Sequence, residues 1–323
     1  MSVDTDNELE GWLEMLRSPN LHDRIIAVKN LQYLADEAAI PSLIIATKDV
    51  DFTVQKLAII ALKEIGNSVA VPALLETLVS SDVEIRLEAL AALSELVSAE
   101  HLLILLDAIK RDNINIRLSV LILLRKIHDA QSLPYIIPFF QAKNPELREA
   151  AVTTLRYLNQ VKQCPPALAL INDSAEIVRR EAALTLGYLK HEEAIDLLCE
   201  SLTKDTDWQV RRNAAKSLGI HCNITAIPAL EIALKDEHWQ VRKEAAKAIQ
   251  QIPDDRVLPE LIKALSDEYS DVRKESAIAL GNLGNSQALN ALQQTLDDLD
   301  KDVSIYSQRA IQKIQQAGNR LNI

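Results

Sequence analysis

The feature that most constrains this chain is an internal repeat. Segments 173–187 (DSAEIVRREAALTLG), 205–219 (DTDWQVRRNAAKSLG), 236–250 (DEHWQVRKEAAKAIQ) and 267–281 (DEYSDVRKESAIALG) align without gaps. With the Arg of the V-R pair as position 0, the register runs through Arg24, Gln55, Arg86, Arg117, Arg148, Arg179, Arg211, Arg242, Arg273 and Ser304. Each step is 31 residues except the one of 32 between Arg179 and Arg211. Position +3 is small or β-branched throughout (Ala27, Ala58, Ala89, Val120, Ala151, Ala182, Ala214, Ala245, Ser276, Ser307), and position +7 is always Leu or Ile. With positions −1, +4 and +10 these columns form one apolar helical face. Pro recurs at +17 (Pro41, Pro72, Pro134, Pro165, Pro228, Pro259) and marks the first turn of a partner helix. Asp recurs at −6 (Asp49, Asp173, Asp205, Asp236, Asp267, Asp298), where it suits a helix cap.

Each unit therefore reads as two antiparallel helices, repeated about ten times. One pair cannot bury both of its faces, but stacked neighbours make a continuous core. The expectation is an all-α, right-handed α-solenoid forming a single domain over 1–323, with an N-terminal cap repeat at 1–36, repeats over 37–296 and a C-terminal cap repeat at 297–323. The outermost units depart from the pattern as caps do: Asp23 replaces an aliphatic residue and Ser304 replaces Arg. Composition agrees. Only 7 residues are Gly, too few for many tight hairpins or for a glycine-rich phosphate loop. Three of them share column +8 (Gly187, Gly219, Gly281) and two share +11 (Gly66, Gly284).

The D-x-x-W-Q-V-R-x-x-A-A-x-x-L-G pattern, clearest at 205–219 and 236–249, resembles HEAT repeats. The short period, with "AIPAL" opening the partner helix, resembles the phycobilisome-lyase-type (bilin lyase E/F-like) branch of that family. The resemblance implies a curved scaffold whose V-R helix lines the concave side. It also implies roles in bilin (phycocyanobilin) attachment to phycobiliproteins or in their turnover, or as an adaptor. A HEAT-repeat enzyme, deoxyhypusine hydroxylase, is similar in architecture and binds a di-iron centre through His-Glu pairs just after the repeat Arg. Here those dipeptides are Arg180-Glu181, Lys243-Glu244 and Lys274-Glu275, and a cation cannot replace a metal-ligating imidazole. The sole His-Glu, His191-Glu192, lies near a turn. That enzyme is excluded.

Positions +1, +5, +8 and +12 lie opposite the core stripe. In the second half they give a concave cationic row, Arg180, Arg212, Lys216, Lys243, Lys247 and Lys274, continued by Arg309. Such a row suits an acidic protein surface or bilin propionates. In the first half the same columns give Leu87, Leu118 and Ile122, an apolar surface for a partner. The alternative is that these rows are a solvated face and a segment covered by another part of the chain. Trp208 and Trp239, equivalent at −3, are read as packing between repeats or as a stacking platform for a ligand. His221-Cys222, with Cys199 in the partner helix, is read as ordinary core residues or as contacts to a metal or iron–sulfur cluster. The Arg–Asp columns are read as an internal ladder tying neighbouring units.

The chain carries 35 basic and 46 acidic residues, net −11, which disfavours nucleic acid as a partner. No run of apolar residues suits a membrane span, and the acidic start lacks a secretory n-region. Three widely spaced cysteines suit a reducing, cytoplasmic compartment. No catalytic motif is present. The reading is a non-catalytic scaffold without a cofactor, which holds a partner of acidic and apolar surface on its concave face. A bilin-lyase-type factor acting on a phycobiliprotein subunit, with bilin as bound ligand, is the alternative. A companion that stabilises a metal or iron–sulfur cofactor on a carrier protein is the third reading.

Overall fold

A computed structural model describes residues 2–320, with side chains described for 8–317; Met1 and the last three residues of the expected caps lie outside it. Among the described residues there are twenty α-helices, nine short 3-10 helices and no strand. The architecture is an α-solenoid. Ten long helices carry the V-R columns: Leu21–Leu34, Phe52–Ile65, Val83–Leu96, Ile114–Ile127, Pro145–Tyr157, Glu176–Leu186, Trp208–His221, Trp239–Ile249, Ser270–Leu283 and Lys301–Arg320. Each after the first is preceded by a shorter helix, and the first follows Ser2–Met15, which equals it in length. The chain divides into two compact units, one of residues 1–139 with 157–160, the other of residues 140–156 with 161–323.

Most of the short helices begin as one 3-10 turn that passes into α-turns, at a proline in five of them, while Pro165–Leu168 starts directly at its proline. Pro41, Pro72, Pro134, Pro228 and Pro259 each occupy the first α-helical turn, where the missing N–H costs nothing. Where column +17 holds Asp196 instead, Glu192–Lys204 forms one uninterrupted thirteen-residue α-helix, inside the 32-residue step itself. The core is the expected one: columns −1, +3 and +7 are buried from Val54 through Val303.

The helix caps correct the sequence expectation. Where a side chain caps a long helix, in seven of the ten, it sits at −4, not −6. Asn20, Asp51, Asp82, Asn113, Asn144, Asp207 and Asp300 accept backbone N–H bonds from the first helical turn. The −6 carboxylate has a different task. It accepts Nε and Nη2 of the preceding repeat's position-0 Arg in a bidentate pair, at 2.6–2.8 Å and 2.7–3.0 Å. Six pairs form: Arg24–Asp49, Arg148–Asp173, Arg179–Asp205, Arg211–Asp236, Arg242–Asp267 and Arg273–Asp298. Each Arg also donates Nη1 to backbone carbonyls of its own inter-helix turn, as Arg211 does to Asp205 and Thr206. One guanidinium thus closes its own turn and fastens the next. Where the ladder lapses, the turn is still held: Gln55 donates to the Asp49 carbonyl and Ser304 to the Leu296 carbonyl.

Close approach of the long helices within the second unit explains the glycine column. A Cβ on Gly187 would lie 2.5 Å from Ser217 Oγ, one on Gly219 3.0 Å from Ala248 Cα, and one on Gly281 2.9 Å from Ala310 Cα. Position +8 of one repeat faces the small residue at +6 of the next. Column +11 is instead the left-handed C-cap. Gly66 and Gly284 adopt it with φ of 76° and 74°, and Ala35, His128 and Cys222 adopt it without glycine's freedom, at 50°, 58° and 52°.

Gln55 and Ser80 are the two vacant sides of one rung. Gln55→Arg with Ser80→Asp is expected to install a further bidentate pair. The urea midpoint should rise by more than the sum of the single variants, with a coupling of about 1 kcal/mol. Strictly additive midpoints would show that the rung geometry does not extend to this step.

Candidate functional site: the face of the long helices

The row of long helices in the second unit presents the side chains expected to bind a partner, and the structure divides them into two sets. Position +1 is occupied by cations that tie neighbouring repeats. Arg180 donates Nε to Asp207 at 3.0 Å, and also reaches Glu176. Lys243 Nζ lies 2.7 Å from Asp271, which also receives Lys274 at 3.2 Å. Lys56 makes the equivalent bridge to Glu84 at 2.7 Å in the first unit. Arg212 turns aside, bonds Asn213 Oδ1 at 2.9 Å and lies over the Trp208 ring. The expected cationic row is therefore largely neutralised at +1. Its acids sit at −4 or −2 of the following repeat. Lys216 and Lys247, at +5, are exposed and make no ion pair or hydrogen bond among the described residues.

These ties shape the titration. The Arg180 guanidinium holds the Asp207 carboxyl below the usual carboxylate range, Lys243 and then Lys274 do the same to Asp271, and Arg273 to Asp298. A carboxylate lowered in the folded chain adds stability that is whole above its ordinary range, about pH 4, and is lost as pH falls through the lowered value.

The two tryptophans are packed between repeats. Trp208 stacks on His238 with ring centroids 5.2 Å apart, and Trp239 stacks on Tyr269 at 5.1 Å. Arg212 and Lys243 lie over the same two indoles. His238 and Tyr269 occupy the −4 column, where other repeats place a capping Asp or Asn; their helices lack a side-chain cap. That aromatic intrusion into a cap column was the sequence signal for the stack. The rings expected as a ligand platform are thus engaged by neighbouring side chains.

The His221-Cys222 candidates do not converge. His221 Nε2 pairs with the Leu186 carbonyl at 2.9 Å, and Cys222 Sγ donates to the Gly219 carbonyl at 3.1 Å. Cys199 stands half-buried on the short helix 192–204. Among the described residues no group of three or more His, Cys, Asp or Glu is placed to hold a metal. His191 is buried and accepts the Cys164 backbone N–H at 2.8 Å, which makes it part of the turn.

In the first unit Leu87 and Ile122 are 61% and 40% exposed, while Leu118 is half-buried. Val83 and Ile114, both exposed at −3, extend the apolar surface along the same two long helices. Sequence reading from columns +1 and +5 missed this pair. Among the described residues no single helix is long and apolar enough to cross a membrane.

Two outcomes follow. Urea midpoints are expected to stay level from pH 7 to about pH 5 and to fall below about pH 4, with a smaller acid loss in Asp271→Asn; an unchanged acid profile in that variant would mean the ties carry no stability. Thiol labelling should single out exposed Cys222. Burial pushes the Cys199 thiol up to about 11 and raises Cys164, so both should label slowly at pH 8. Equal rates at all three would contradict the packing of the second unit.

Comparison with known proteins bears on the fold. A family model for HEAT repeats matches residues 9–96, 164–236 and 227–312. No curated protein gives a match. Among solved structures, the chain is similar to an engineered protein at 22% identity and a TM-score of 0.56, covering 95% of this chain and 98% of that one. It is also similar to yeast importin-β at 14% identity and a TM-score of 0.64, covering 97% of this chain and 51% of that one. A chain from a structure of Kap95p bound to RanGDP gives the same identity and coverage with a TM-score of 0.65. The chain therefore spans about half the length of the importin chains it matches.

Proposed function

Because this chain belongs to the HEAT-repeat family, we propose that it is a non-catalytic scaffold that holds a partner protein of apolar and acidic surface against its long helices. The observation that carries this reading is the apolar surface of the third and fourth long helices. Leu87 and Ile122 stand exposed beside Val83 and Ile114, on helices whose other faces already fill the core. An exposed cluster of large aliphatic side chains is costly in water and marks a partner surface. Lys216 and Lys247 supply the complementary charge in the second unit. Yeast importin-β (Kap95p), a chain of similar fold, binds RanGDP, which supports protein binding as the use of such a fold.

The bilin-lyase reading rests on the branch resemblance alone. The metal-companion reading is weakened by His221, whose nitrogen is spent on the Leu186 carbonyl. The three free thiols suit a reducing compartment such as the cytoplasm.

The test is chemical cross-linking and mass spectrometry on a native lysate, with wild type beside Leu87→Asp/Ile122→Asp. Both substituted residues are exposed, so the fold should persist, as circular dichroism would verify. Recovery of the main cross-linked partner should drop about tenfold or more, the scale of a lost apolar anchor. An unchanged partner set would overturn the reading. A visible spectral shift on mixing the protein with free bilin would instead favour the lyase alternative.

A further inference from the structure

The second unit contains a surface that the ladder and the aromatic stacks leave unused. Gly219 lies against Ala248 without a side chain between them. The space this leaves is a groove of about 390 Å³ between the seventh and eighth long helices, walled by Lys216, Ile220 and Cys222 on one side and Glu244, Lys247 and Gln251 on the other. Ile220 also borders a second hollow of about 530 Å³, which runs to Tyr188 and Lys190 on the preceding repeat. The two hollows share that side chain and form one trough across three repeats. Tyr188 and Ile220, both at +9, are 53% and 44% exposed. Lys190, Lys216 and Lys247 are exposed, and their ammonium groups make no ion pair or hydrogen bond among the described residues. They stand against two carboxylates without an ion pair among the described residues, Glu192 and Glu244, in a protein of net charge −11. The trough is thus a local cationic and apolar strip on an acidic molecule, and its charge calls for an acidic occupant.

The repeat also sets the spacing of that occupant. Neighbouring packed helices lie about 8–10 Å apart, and a chain extended as polyproline II advances about 3.1 Å per residue with three residues per turn, so that every third side chain faces the same way. One repeat therefore corresponds to about three residues of extended peptide. Tyr188 and Ile220 are one repeat apart, as are Lys216 and Lys247.

We propose that the trough over Tyr188, Ile220, Lys216 and Lys247 binds an extended acidic segment of a partner protein, with apolar side chains three residues apart and carboxylates three residues apart. This rests on the scaffold reading above and names the chemistry of what one part of the scaffold holds. The apolar side chains cover Tyr188 and Ile220, and the carboxylates accept charge-assisted bonds from the two lysines.

The test uses a random ten-residue peptide library displayed on phage and panned on the wild-type protein, followed by fluorescence anisotropy with the enriched peptide. Acidic peptides with apolar residues three apart should emerge. Lys216→Glu/Lys247→Glu should weaken their binding about tenfold or more, and raising salt from 0.1 to 0.5 M should weaken it further. Both lysines are exposed and unpaired, so the variant should keep the wild-type melting curve. Cys222 gives a second readout, since the bound peptide should slow its reaction with maleimide. Enrichment of uncharged peptides, equal affinity in the charge-reversed variant, or an unprotected Cys222 would each overturn the proposal. Tighter binding of a labelled single-stranded oligonucleotide than of any peptide would overturn it as well. A failure here that leaves Leu87→Asp/Ile122→Asp still releasing the cross-linked partner removes only the trough; failure of both removes the scaffold reading.

Discussion

The position-0 guanidinium is the interaction on which the stack depends. A two-helix unit has too little core to hold its own turn in shape, and the turn is where it meets its neighbour. One Arg answers both needs by binding carbonyls of its own turn and the carboxylate that begins the next. The planar fork of Arg makes this possible, and Lys could not satisfy both demands from a single point charge. Half-buried pairs of this kind contribute modestly to net stability, because desolvation offsets much of the attraction. What they fix is register: the −6 carboxylate can be reached only when the helices are stacked in step.

The long-helix face follows from that constraint. Once the turns are locked, the small residues at +6 and the glycines at +8 let the long helices of the second unit crowd together. Position +1 is then drawn into cross-repeat ion pairs, while +5 and +9 remain for other uses. The division is physical: a cation one turn from the N-terminus lies within reach of the next helix's capping or first-turn acid, whereas one at mid-helix does not.

Much of this was legible in the sequence. The period, the core columns, the proline starts and the Arg–Asp pairing are local patterns repeated often enough to be read as geometry. The partners of the +1 cations were not legible. Asp207 lies 27 residues from Arg180, and Asp271 lies 28 from Lys243, in columns that look like helix caps. The same ambiguity assigned the cap to −6, because Asp recurs there more strictly than at −4. Trp208 and Trp239 were equivalent by register, but their stacking partners His238 and Tyr269 stand where a cap was expected. His221 looked singular because its column is otherwise aliphatic; its carbonyl bond to Leu186 of the preceding repeat needs three-dimensional proximity that spacing alone does not reveal.

The ladder has an evolutionary implication as well. Every rung joins position 0 of one repeat to −6 of its successor, so the interchangeable module runs from carboxylate to guanidinium. Between Asp173 and Asp298 the chain offers Asp205, Asp236 and Asp267 as equivalent acceptors. Excising or duplicating one whole module in that stretch would re-form each junction with no orphaned charge. Over Gln55 to Ala142, where positions −6 hold Ser80, Arg111 and Ala142, the junctions are not equivalent and the same edit would join unlike ends. The solenoid is thus adjustable in length on one side and fixed in length on the other.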